Sequence, residues 1–356
     1  MTYKQLIKKA KMWYDKEMPF VLYCFPKKNE VLAYFQNTAD HLTTETFDQK
    51  GFVMAPFEFE KTVMMIHAAQ ADFESAPIPE LSMLPDGEIQ IPDEHQGKKH
   101  HIDIVNAAID EIATGRTKKI VLSRKKEIEL SSFDIETLAD QIFTKNYNGL
   151  KYLWYHPETS LWCGTTPETL LELKDKNFST MSLAGTKKAL GNQKAEWSYK
   201  EISEQEIVTS AIFDSLQHIT KVLKVSRPYA QQAGNLVHLR TDVSGVVTRK
   251  NASIVKFVNA LHPTPAVCGT PFKNAKSFIL THEHYNREFY TGFLGVINCE
   301  KEGSSLFVNL RSMKIENNIA FLYVGGGIVE NSDAELEWIE TQNKLQTMLK
   351  VVAPML

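Results

Sequence analysis

The chain is poor in the features that mark extracellular, membrane-spanning or nucleic-acid-binding proteins. Only four of its 356 residues are cysteines, and none of them has the close spacing of a zinc site or a redox pair. No apolar run is long enough to cross a bilayer, and residues 1–16 lack the apolar stretch of a signal peptide. The net charge of -3 offers no basic excess for a nucleic acid or a membrane surface. We therefore expect a cytoplasmic protein with reduced thiols and with neither nucleic acid nor membrane as a partner.

The chain also lacks the common signatures of nucleotide-binding and serine-hydrolase sites. It contains no P-loop, no G-x-G-x-x-G and no G-x-S-x-G pattern, and no internal repeat or low-complexity segment stands out. His282 and His284 flank Glu283 at a metal-like spacing, but no third ligand is nearby, so we interpret them as the polar start of a helix. The remaining composition, 43% hydrophobic and 23% charged, is that of an ordinary globular protein.

The periodicity of apolar residues predicts more strands than helices, and antiparallel-looking strand runs outnumber β-α-β alternations. We therefore predict an α+β fold in which helices flank a large, antiparallel-rich β core. Strands are predicted at 19–25, 31–35, 119–130, 151–155, 161–164, 169–174, 179–184, 236–247, 291–299, 304–311 and 319–324. Helices are predicted at 3–17, 102–113, 134–145, 194–224, 252–261, 283–289 and 332–350. The polar segment 85–101, with two prolines and two glycines, is predicted to be a surface connection.

The length allows either two domains or one large domain. Candidate site residues lie between positions 119 and 344 and are interleaved along the chain, which favours one domain. We predict a single catalytic domain over residues 1–356, in which residues 1–100 form an N-terminal part of the same β core.

The densest concentration of chemical groups follows the predicted strand at 319–324. That strand pattern breaks at three glycines, residues 325–327, and an acidic helix follows. Glu337, Glu340 and Lys344 are spaced three and four residues apart, so they share one helical face. Glycines let backbone N–H groups approach an anion closely, and carboxylates are hard oxygen ligands. This pattern is typical of a site for a magnesium-bound, multiply anionic small molecule.

A second acidic helix repeats the spacing of these carboxylates. Glu201 and Glu204 are three residues apart, as Glu337 and Glu340 are. Two helices that face each other with paired carboxylates would form a cage for Mg²⁺. Taken alone, the two pairs are better explained as solvated helix faces.

Five segments occur in the order in which they occur in the chorismate-utilising enzymes, and over residues 100–350 the chain resembles that family. The family contains anthranilate, aminodeoxychorismate, salicylate and isochorismate synthases. The segments are KIVLSR at 119–124, Pro167-Glu168, LAGT at 183–186, Arg311 with the glycine run at 325–329, and EWIET at 337–341.

The resemblance implies a Mg²⁺-dependent isomerase that interconverts chorismate and isochorismate. Water would attack ring carbon C2 while the C4 hydroxyl leaves. Lys119 matches the base of family members that use water, and Glu168 matches the general acid, which needs a raised pKa. To act as a base, Lys119 must be neutral for part of the time, which requires burial or nearby cations. The resemblance makes Glu204 and Glu340 the principal metal ligands, with Glu201 and Glu337 in support.

The resemblance also implies how chorismate, the expected partner, is held. Its two carboxylates would be bound by the metal and by the planar guanidinium of Arg311. The further substrate contacts implied are Gly185, Thr186, Tyr290, Gly325 and Lys344.

Related functions stay open at this point. A salicylate synthase, which also eliminates pyruvate from isochorismate, would share Lys119, Glu168 and the acidic helices. A short stand-alone chain fits the menaquinone branch better than a siderophore branch, and the intact pair Lys119 and Glu168 argues against a catalytically silent relative. Ala184 stands where aminodeoxychorismate synthases have a nucleophilic lysine, and the presence of Lys119 argues against an obligate amidotransferase subunit. His238 and His262 could be pocket residues or core residues.

Overall fold

Two large antiparallel sheets form the centre of the molecule. The structure is a computed structural model that describes residues 1–58, 62–83, 87–91, 94–188, 196–233, 236–248, 253–300 and 303–356. The strands in these ranges are β1 (Phe20–Cys24), β2 (Glu30–Gln36), β3 (Thr43–Thr44), β4 (Gly51–Ala55), β5 (Val63–His67), β6 (Ala71–Pro77), β7 (Lys119–Glu129), β8 (Leu150–His156), β9 (Ser160–Thr166), β10 (Thr169–Lys174), β11 (Asn177–Lys188), β12 (Val222–Val225), β13 (Tyr229–Ala233), β14 (Leu236–Val246), β15 (Gly269–Thr270), β16 (Phe293–Cys299), β17 (Gly303–Val308), β18 (Ser312–Glu316) and β19 (Ile319–Ile328). The α-helices are α1 (Tyr3–Asp15), α2 (His95–Ala113), α3 (Ile135–Phe143), α4 (Tyr199–Leu216), α5 (Ile254–Leu261), α6 (Phe272–His282) and α7 (Ala334–Val352).

Each sheet mixes strands from distant parts of the chain. The first sheet has the order β15-β7-β19-β18-β9-β8-β1-β2-β6. The second has the order β12-β14-β11-β10-β17-β16-β4-β5-β3, and β13 also pairs with β14. The predicted α+β fold with an antiparallel β core is therefore confirmed. Strands from the first hundred residues take part in both sheets, because β1 pairs with β8 and β4 pairs with β16.

The sheets face each other across an aromatic core. Trp154, Trp162 and Tyr323 of the first sheet pack in one buried cluster with Phe52 and Leu294 of the second. The helices cover the outer faces of the sheets: α1, α3 and α7 pack on the first sheet, and α4 and α5 on the second. The site described below is formed by β7 and β19 of the first sheet, by β11 of the second sheet, and by α4, which packs on the second sheet.

Several predicted elements agree with the structure within two residues at each end. These are α1, β1, β2, β7, α3, β8, β9, β10, β14, α5, β16 and α7. The break predicted at glycines 325–327 is wrong, because β19 runs through all three and keeps its pairing with β7. Glycine weakens a strand on average, but here the long ladder between β7 and β19 maintains the extended conformation.

The predicted helix at 283–289 is also wrong; the helix of this region is α6, Phe272–His282. Only two apolar residues of α6 are buried, Ala275 and Ile279, so its hydrophobic stripe is weak in the sequence. Glu283 and Arg287 have helical spacing, but they form a buried ion pair outside any helix.

Three other segments depart from the sequence expectations. The helix predicted at 194–224 is shorter, since α4 ends at Leu216 and β12 follows; positions 194 and 195 lie outside the described residues. The predicted surface connection at 85–101 contains the start of α2 at His95, and its positions 85, 86, 92 and 93 are not described. The strands β3–β6, β12, β13, β15 and β18 were not predicted. In the described part of the chain, no helix combines the length and apolar character that a membrane span requires.

Candidate functional site

A cavity between the two sheets gathers most of the predicted site residues. Its empty volume of about 640 Å³, including the space at its mouth, is within the usual range for small-molecule sites. The predicted residues that line it are Glu168, Gly185, Thr186, Glu204, Tyr290, Arg311, Gly325 and Lys344. Lys119, Glu337 and Glu340 adjoin this wall through Gly326 and Gly327.

Glycine at positions 326 and 327 allows carboxylates to approach the strand backbone. A Cβ atom on Gly327 would lie 2.2 Å from Glu204 Oε1 and 2.8 Å from Lys119 Cε. A Cβ atom on Gly326 would lie 3.0 Å from Glu337 Oε2 and 3.8 Å from Glu340 Oε1. Glu204 of α4 and both glutamates of α7 therefore meet at two adjacent residues of β19.

Each of these three carboxylates is paired with a lysine. Lys119 Nζ is 2.9 Å from Glu204 Oε1, and Lys344 Nζ is 2.5 Å from Glu340 Oε1. Lys200 Nζ donates to Glu337 Oε1 at 2.6 Å. Lys200 was not among the predicted site residues, although it lies four residues before Glu204 and therefore on the same helical face. Opposite charges thus balance in a region that is largely closed to water.

Burial and neighbouring charges act differently on the carboxylates. Burial raises the pKa of Glu337 to about 7, and the nearby charge of Glu340 adds to the effect. Burial would also raise the pKa of Glu204, but Lys119 and Lys200 hold it below its ordinary value. Glu204 is therefore charged at neutral pH, while Glu337 is close to its midpoint.

The structure does not bring Glu201 together with the other three carboxylates. Its Oε2 accepts hydrogen bonds from the backbone N and Oγ of Ser198, at 2.7 and 2.6 Å, and lies 3.5 Å from Lys187 Nζ. Ser198 and Glu201 form the capping box that begins α4. Glu201 has the predicted helical spacing from Glu204, but its carboxylate caps the first turn of α4.

The remaining donors fit a magnesium ion. Within the described ranges, no three histidine, cysteine or acidic side chains are close enough together to form a complete metal cage. Mg²⁺ does not need one, because it commonly binds one or two carboxylates and completes its shell with water and substrate oxygens. Glu204 and Glu340 supply such carboxylates. Glu337 Oε2 is buried and has no hydrogen-bond partner among the described atoms, so the carboxylates that would hold the ion have an unused acceptor beside them.

Lys119 and Glu168 are both buried and near enough to interact. Lys119 is fully buried while its neighbour Lys118 is exposed, as the alternation of a strand requires. Lys119 Nζ makes no well-aligned hydrogen bond to any described atom, despite its short distance to Glu204. Burial raises the pKa of Glu168 to about 8, although the charge of Lys119 opposes the shift. Glu168 is therefore mostly protonated at neutral pH and can donate a proton.

Arg311, His238 and Thr186 form a chain of contacts on the cavity wall. Arg311 Nη2 donates to His238 Nε2 at 3.2 Å, and His238 Nδ1 lies 3.1 Å from Thr186 Oγ1. Burial, and next the charge of Arg311, lower the pKa of His238 well below its ordinary value. The imidazole is therefore neutral. Since Nε2 accepts from Arg311, these partners assign the proton to Nδ1, which donates to Thr186.

These contacts show which of the two histidines, His238 or His262, is a cavity residue and which is a core residue. His238 lines the cavity, whereas His262 packs against Phe293 with its Nε2 3.2 Å from the carbonyl oxygen of Pro56. Its place on the cavity wall and its contact with Arg311, which is 73 residues away in sequence, distinguish His238 as a site residue.

Two predicted anion-binding groups have other partners here. The backbone N–H of Gly185 donates to Glu204 Oε2 at 3.1 Å, and Lys344 Nζ donates to the carbonyl oxygen of Gly325 at 2.9 Å. Gly185 has φ of 68°, in the left-handed region that favours glycine. This kink in β11 turns its N–H toward α4 rather than along the ladder with β14.

Comparison with known proteins shows which proteins the chain resembles. The isochorismate synthase MenF of Escherichia coli (strain K12) is 32% identical over 290 residues, which are 77% of this chain and 65% of that protein. The chain thus spans just under two thirds of this relative's length. The solved structure of DhbC from Bacillus anthracis has a TM-score of 0.80 at 25% identity, covering 98% of this chain and 99% of that one. The menaquinone-specific isochorismate synthase MenF from Escherichia coli shares the fold, with a TM-score of 0.76 at 23% identity over 94% of this chain and 88% of that one. A profile of the family described as chorismate-binding enzymes matches residues 30–353, so the chain belongs to that family.

Proposed function

We propose that this chain is an isochorismate synthase, which interconverts chorismate and isochorismate. The observation that carries the proposal is the pair of buried groups Lys119 and Glu168 beside one cavity, the second with a pKa of about 8. Water addition with loss of a hydroxyl needs both a base and an acid, and this pair can provide them. The identity of 32% to a relative named isochorismate synthase supports the same conclusion.

In the forward direction, Lys119 would take a proton from the water that attacks ring carbon C2. Glu168 would give its proton to the C4 oxygen, which leaves as water. The net change moves one hydroxyl around the ring, and the reverse reaction exchanges the roles of the two groups. Lys119 is placed for this role because it is buried next to the cavity wall at Gly327 and near Glu168.

Arg311 would bind one carboxylate of chorismate, and Tyr290 would pack against the ring. His238 occupies only Nη2 of Arg311, so the other guanidinium donors stay available for the substrate. Thr186 accepts from His238, which leaves its own hydroxyl proton free to donate to the substrate. Bound Mg²⁺, held by Glu204 and Glu340, would neutralise and orient the second carboxylate. Lys344 and the backbone of Gly325 would lie beside it.

We further propose that the chain is a cytoplasmic, single-domain enzyme that needs no amidotransferase subunit, with menaquinone biosynthesis as its pathway and a siderophore branch as the alternative. The pairing of N-terminal strands in both sheets supports one domain. Complementation decides the pathway. If the gene restores growth only to a strain that lacks its siderophore isochorismate synthase, and not to a menaquinone-requiring strain, the menaquinone assignment is wrong.

The central experiment is incubation of the protein with chorismate and Mg²⁺, followed by separation of the products and a coupled lactate dehydrogenase assay for pyruvate. We expect a mixture of chorismate and isochorismate, reached from either side, with little pyruvate. Stoichiometric pyruvate and fluorescent salicylate, at a rate proportional to enzyme concentration, would instead identify a salicylate synthase. No consumption of chorismate would identify a binding protein without this activity.

A further inference from the structure

Strand β11 is irregular where helix α4 packs against it. The ladder between β11 and β14 shifts its register here, so that Gly185 is inserted between two paired residues, Ala184 and Thr186. Gly185 has φ of 68°, and an inserted glycine in the left-handed conformation is typical of a β-bulge. The inserted residue does not belong to the ladder, so its N–H needs another partner. That partner lies in α4.

The side-chain amide of Gln205, in α4, binds β11 just before the bulge. Its Oε1 accepts the N–H of Ala184 at 2.9 Å, and its Nε2 donates to the carbonyl oxygen of Ser182 at 3.2 Å. A neighbouring strand would bind the same two backbone groups, but the pairing of β10 with β11 covers residues 177–179. Gln205 is buried, and its Nε2 also donates to Ser182 Oγ at 2.7 Å and to Thr241 Oγ1 at 3.1 Å. The amide therefore continues the hydrogen bonding of the sheet at the edge that faces α4.

Glu204, the preceding residue of α4, binds the bulge itself. Its Oε2 accepts the N–H of Gly185 at 3.1 Å, while its Oε1 lies 2.9 Å from Lys119 Nζ. Two consecutive side chains of the helix thus bind two consecutive N–H groups of the strand. In a regular strand these two N–H groups would point to opposite edges, but the left-handed conformation of Gly185 brings both to the side of α4. The helix lies so close that a Cβ atom on Gly185 would be 3.0 Å from Glu201 Cβ.

The direction of the Glu204 carboxylate depends on where β11 presents the N–H of Gly185. Gln205 fixes the two residues before this glycine, and a shift of that segment would move the Gly185 N–H away from Glu204 Oε2. Gln205 is not among the described residues that line the cavity between the sheets, so its effect on the site passes through Glu204. Groups that orient a metal-binding side chain matter to function, because their loss commonly costs roughly 10–100-fold in metal affinity or activity.

We propose that Gln205 is a positioning residue of this site. It holds β11 at the bulge, and the N–H of Gly185 then keeps the Glu204 carboxylate turned toward Lys119 and the metal position. The role of Glu204 as a metal ligand is part of the proposed function, and to that extent this inference rests on it. The hydrogen bond between Gly185 and Glu204 can be measured without turnover, so the two proposals can fail separately.

The test replaces Gln205 by methionine, which has a similar length but no amide. Two quantities are measured: the hydrogen-exchange rate of the Gly185 amide, by NMR of protein containing isotope-labelled glycine, and the Mg²⁺ concentration that gives half-maximal turnover of chorismate. Both should rise roughly tenfold or more, because the Gly185 N–H loses its fixed position and Glu204 loses its orientation. Ser182→Ala is the milder variant in case Gln205→Met folds poorly. It removes the acceptor at 2.7 Å and should raise both quantities about threefold or more.

Gln346→Met is the matched control for a purely structural role. Gln346 is a buried glutamine of α7 that also binds backbone groups, with its Oε1 2.8 Å from the N of Ile89 and its Nε2 3.0 Å from the carbonyl oxygen of Ile89. Both methionine variants should melt below the wild type, because each leaves buried backbone groups without a partner. In Gln346→Met, however, the Gly185 exchange rate and the Mg²⁺ requirement should stay within about twofold of the wild type.

Three results would refute the proposal. Gln205→Met and Ser182→Ala proteins with the wild-type exchange rate and Mg²⁺ requirement would show that Gln205 does not hold the bulge. Equal changes in Gln346→Met would show a general loss of stability, and faster Gly185 exchange with an unchanged Mg²⁺ requirement would show that Glu204 keeps its orientation without Gln205. If wild-type protein does not consume chorismate, the proposed function fails, and the Gly185 exchange rate alone decides whether Gln205 holds the bulge.

Discussion

Replacing Gly327 by alanine tests whether the approach of Glu204 to strand β19 is needed for activity. The substitution adds one methyl group and removes no functional atom. Its Cβ would lie 2.2 Å from Glu204 Oε1, 2.8 Å from Lys119 Cε and 3.1 Å from Glu204 Cδ, whereas ordinary contact begins at 3.4 Å, so the variant displaces Glu204 most and Lys119 less. The carboxylate must therefore retreat by more than about 1 Å, a displacement that can cost ~10²-fold in rate when it misplaces a catalytic group.

Stability should change much less than activity. Gly327 is not among the glycines in the left-handed region, so alanine can adopt its backbone conformation. Relative to glycine, alanine in a strand gains roughly 0.5–1 kcal/mol from backbone entropy, which offsets part of the cost of moving Glu204. We expect a melting temperature close to that of the wild type together with a fall of ~10²-fold in kcat/KM. The large fall in rate would then reflect geometry rather than unfolding.

The assay is the initial rate of isochorismate formation at saturating Mg²⁺, with circular dichroism to verify the fold. Gly326→Ala is the matched control, because its Cβ would meet Glu337 Oε2 at 3.0 Å and Glu340 Oε1 only at 3.8 Å. Its loss should be smaller. A Gly327→Ala enzyme with wild-type kcat/KM, or a series in which Gly326→Ala is the more damaging change, would refute the assignment of Glu204 to the reacting site.

Further predictions concern the other groups of the site. Lys119→Ala should lower turnover by ~10²-fold or more with little change in chorismate affinity, whereas the exposed Lys118→Ala should not; equal rates in the two variants would exclude Lys119 as the base. EDTA should abolish turnover and Mg²⁺ restore it, and Glu340→Gln should remain inactive at Mg²⁺ concentrations that saturate the wild type, unless the cation site is elsewhere. Turnover should fall as pH rises through about 8, because Glu168 must be protonated to donate. The folded-state pKa of Glu168 exceeds its ordinary value of 4.5, so its contribution to stability is fully present below 4.5 and is lost as pH rises to about 8. Glu168→Gln should thus be inactive and should show a smaller fall in melting temperature over that range; an unchanged fall would contradict the raised pKa.

Helical spacing predicted which carboxylates share a face within one helix. Glu337 and Glu340 share a face of α7, and that face points at β19. Glu204 approaches β19 from α4, which packs on the second sheet. The spacing could not show that Glu201 would be used by Ser198, although the capping pattern S-x-x-E is itself visible in the sequence. Glu201 fits both a shared helical face with Glu204 and a capping box with Ser198. It forms the capping box, because Ser198 is only three positions away.

Local sequence patterns could not predict contacts between segments that are far apart in the chain. His238 has the same local pattern as a core histidine, and only the fold brings it to Arg311. The short and partly exposed strands β12 and β13 escaped prediction because their alternation is weak, and they form only by pairing with the long β14. The glycines of β19 are the opposite case. Because glycine weakens a strand, a break was predicted there, but the pairing with β7 keeps the strand continuous.

Glu204 connects the two halves of the proposed chemistry. One of its oxygens lies 2.9 Å from Lys119 Nζ, and the other accepts the N–H of Gly185 at 3.1 Å. The same carboxylate is therefore both the counter-charge of the proposed base and a proposed metal ligand. Gly327 leaves room for the Glu204 carboxylate and the end of the Lys119 side chain at one point on the strand, and this shared position joins the two halves.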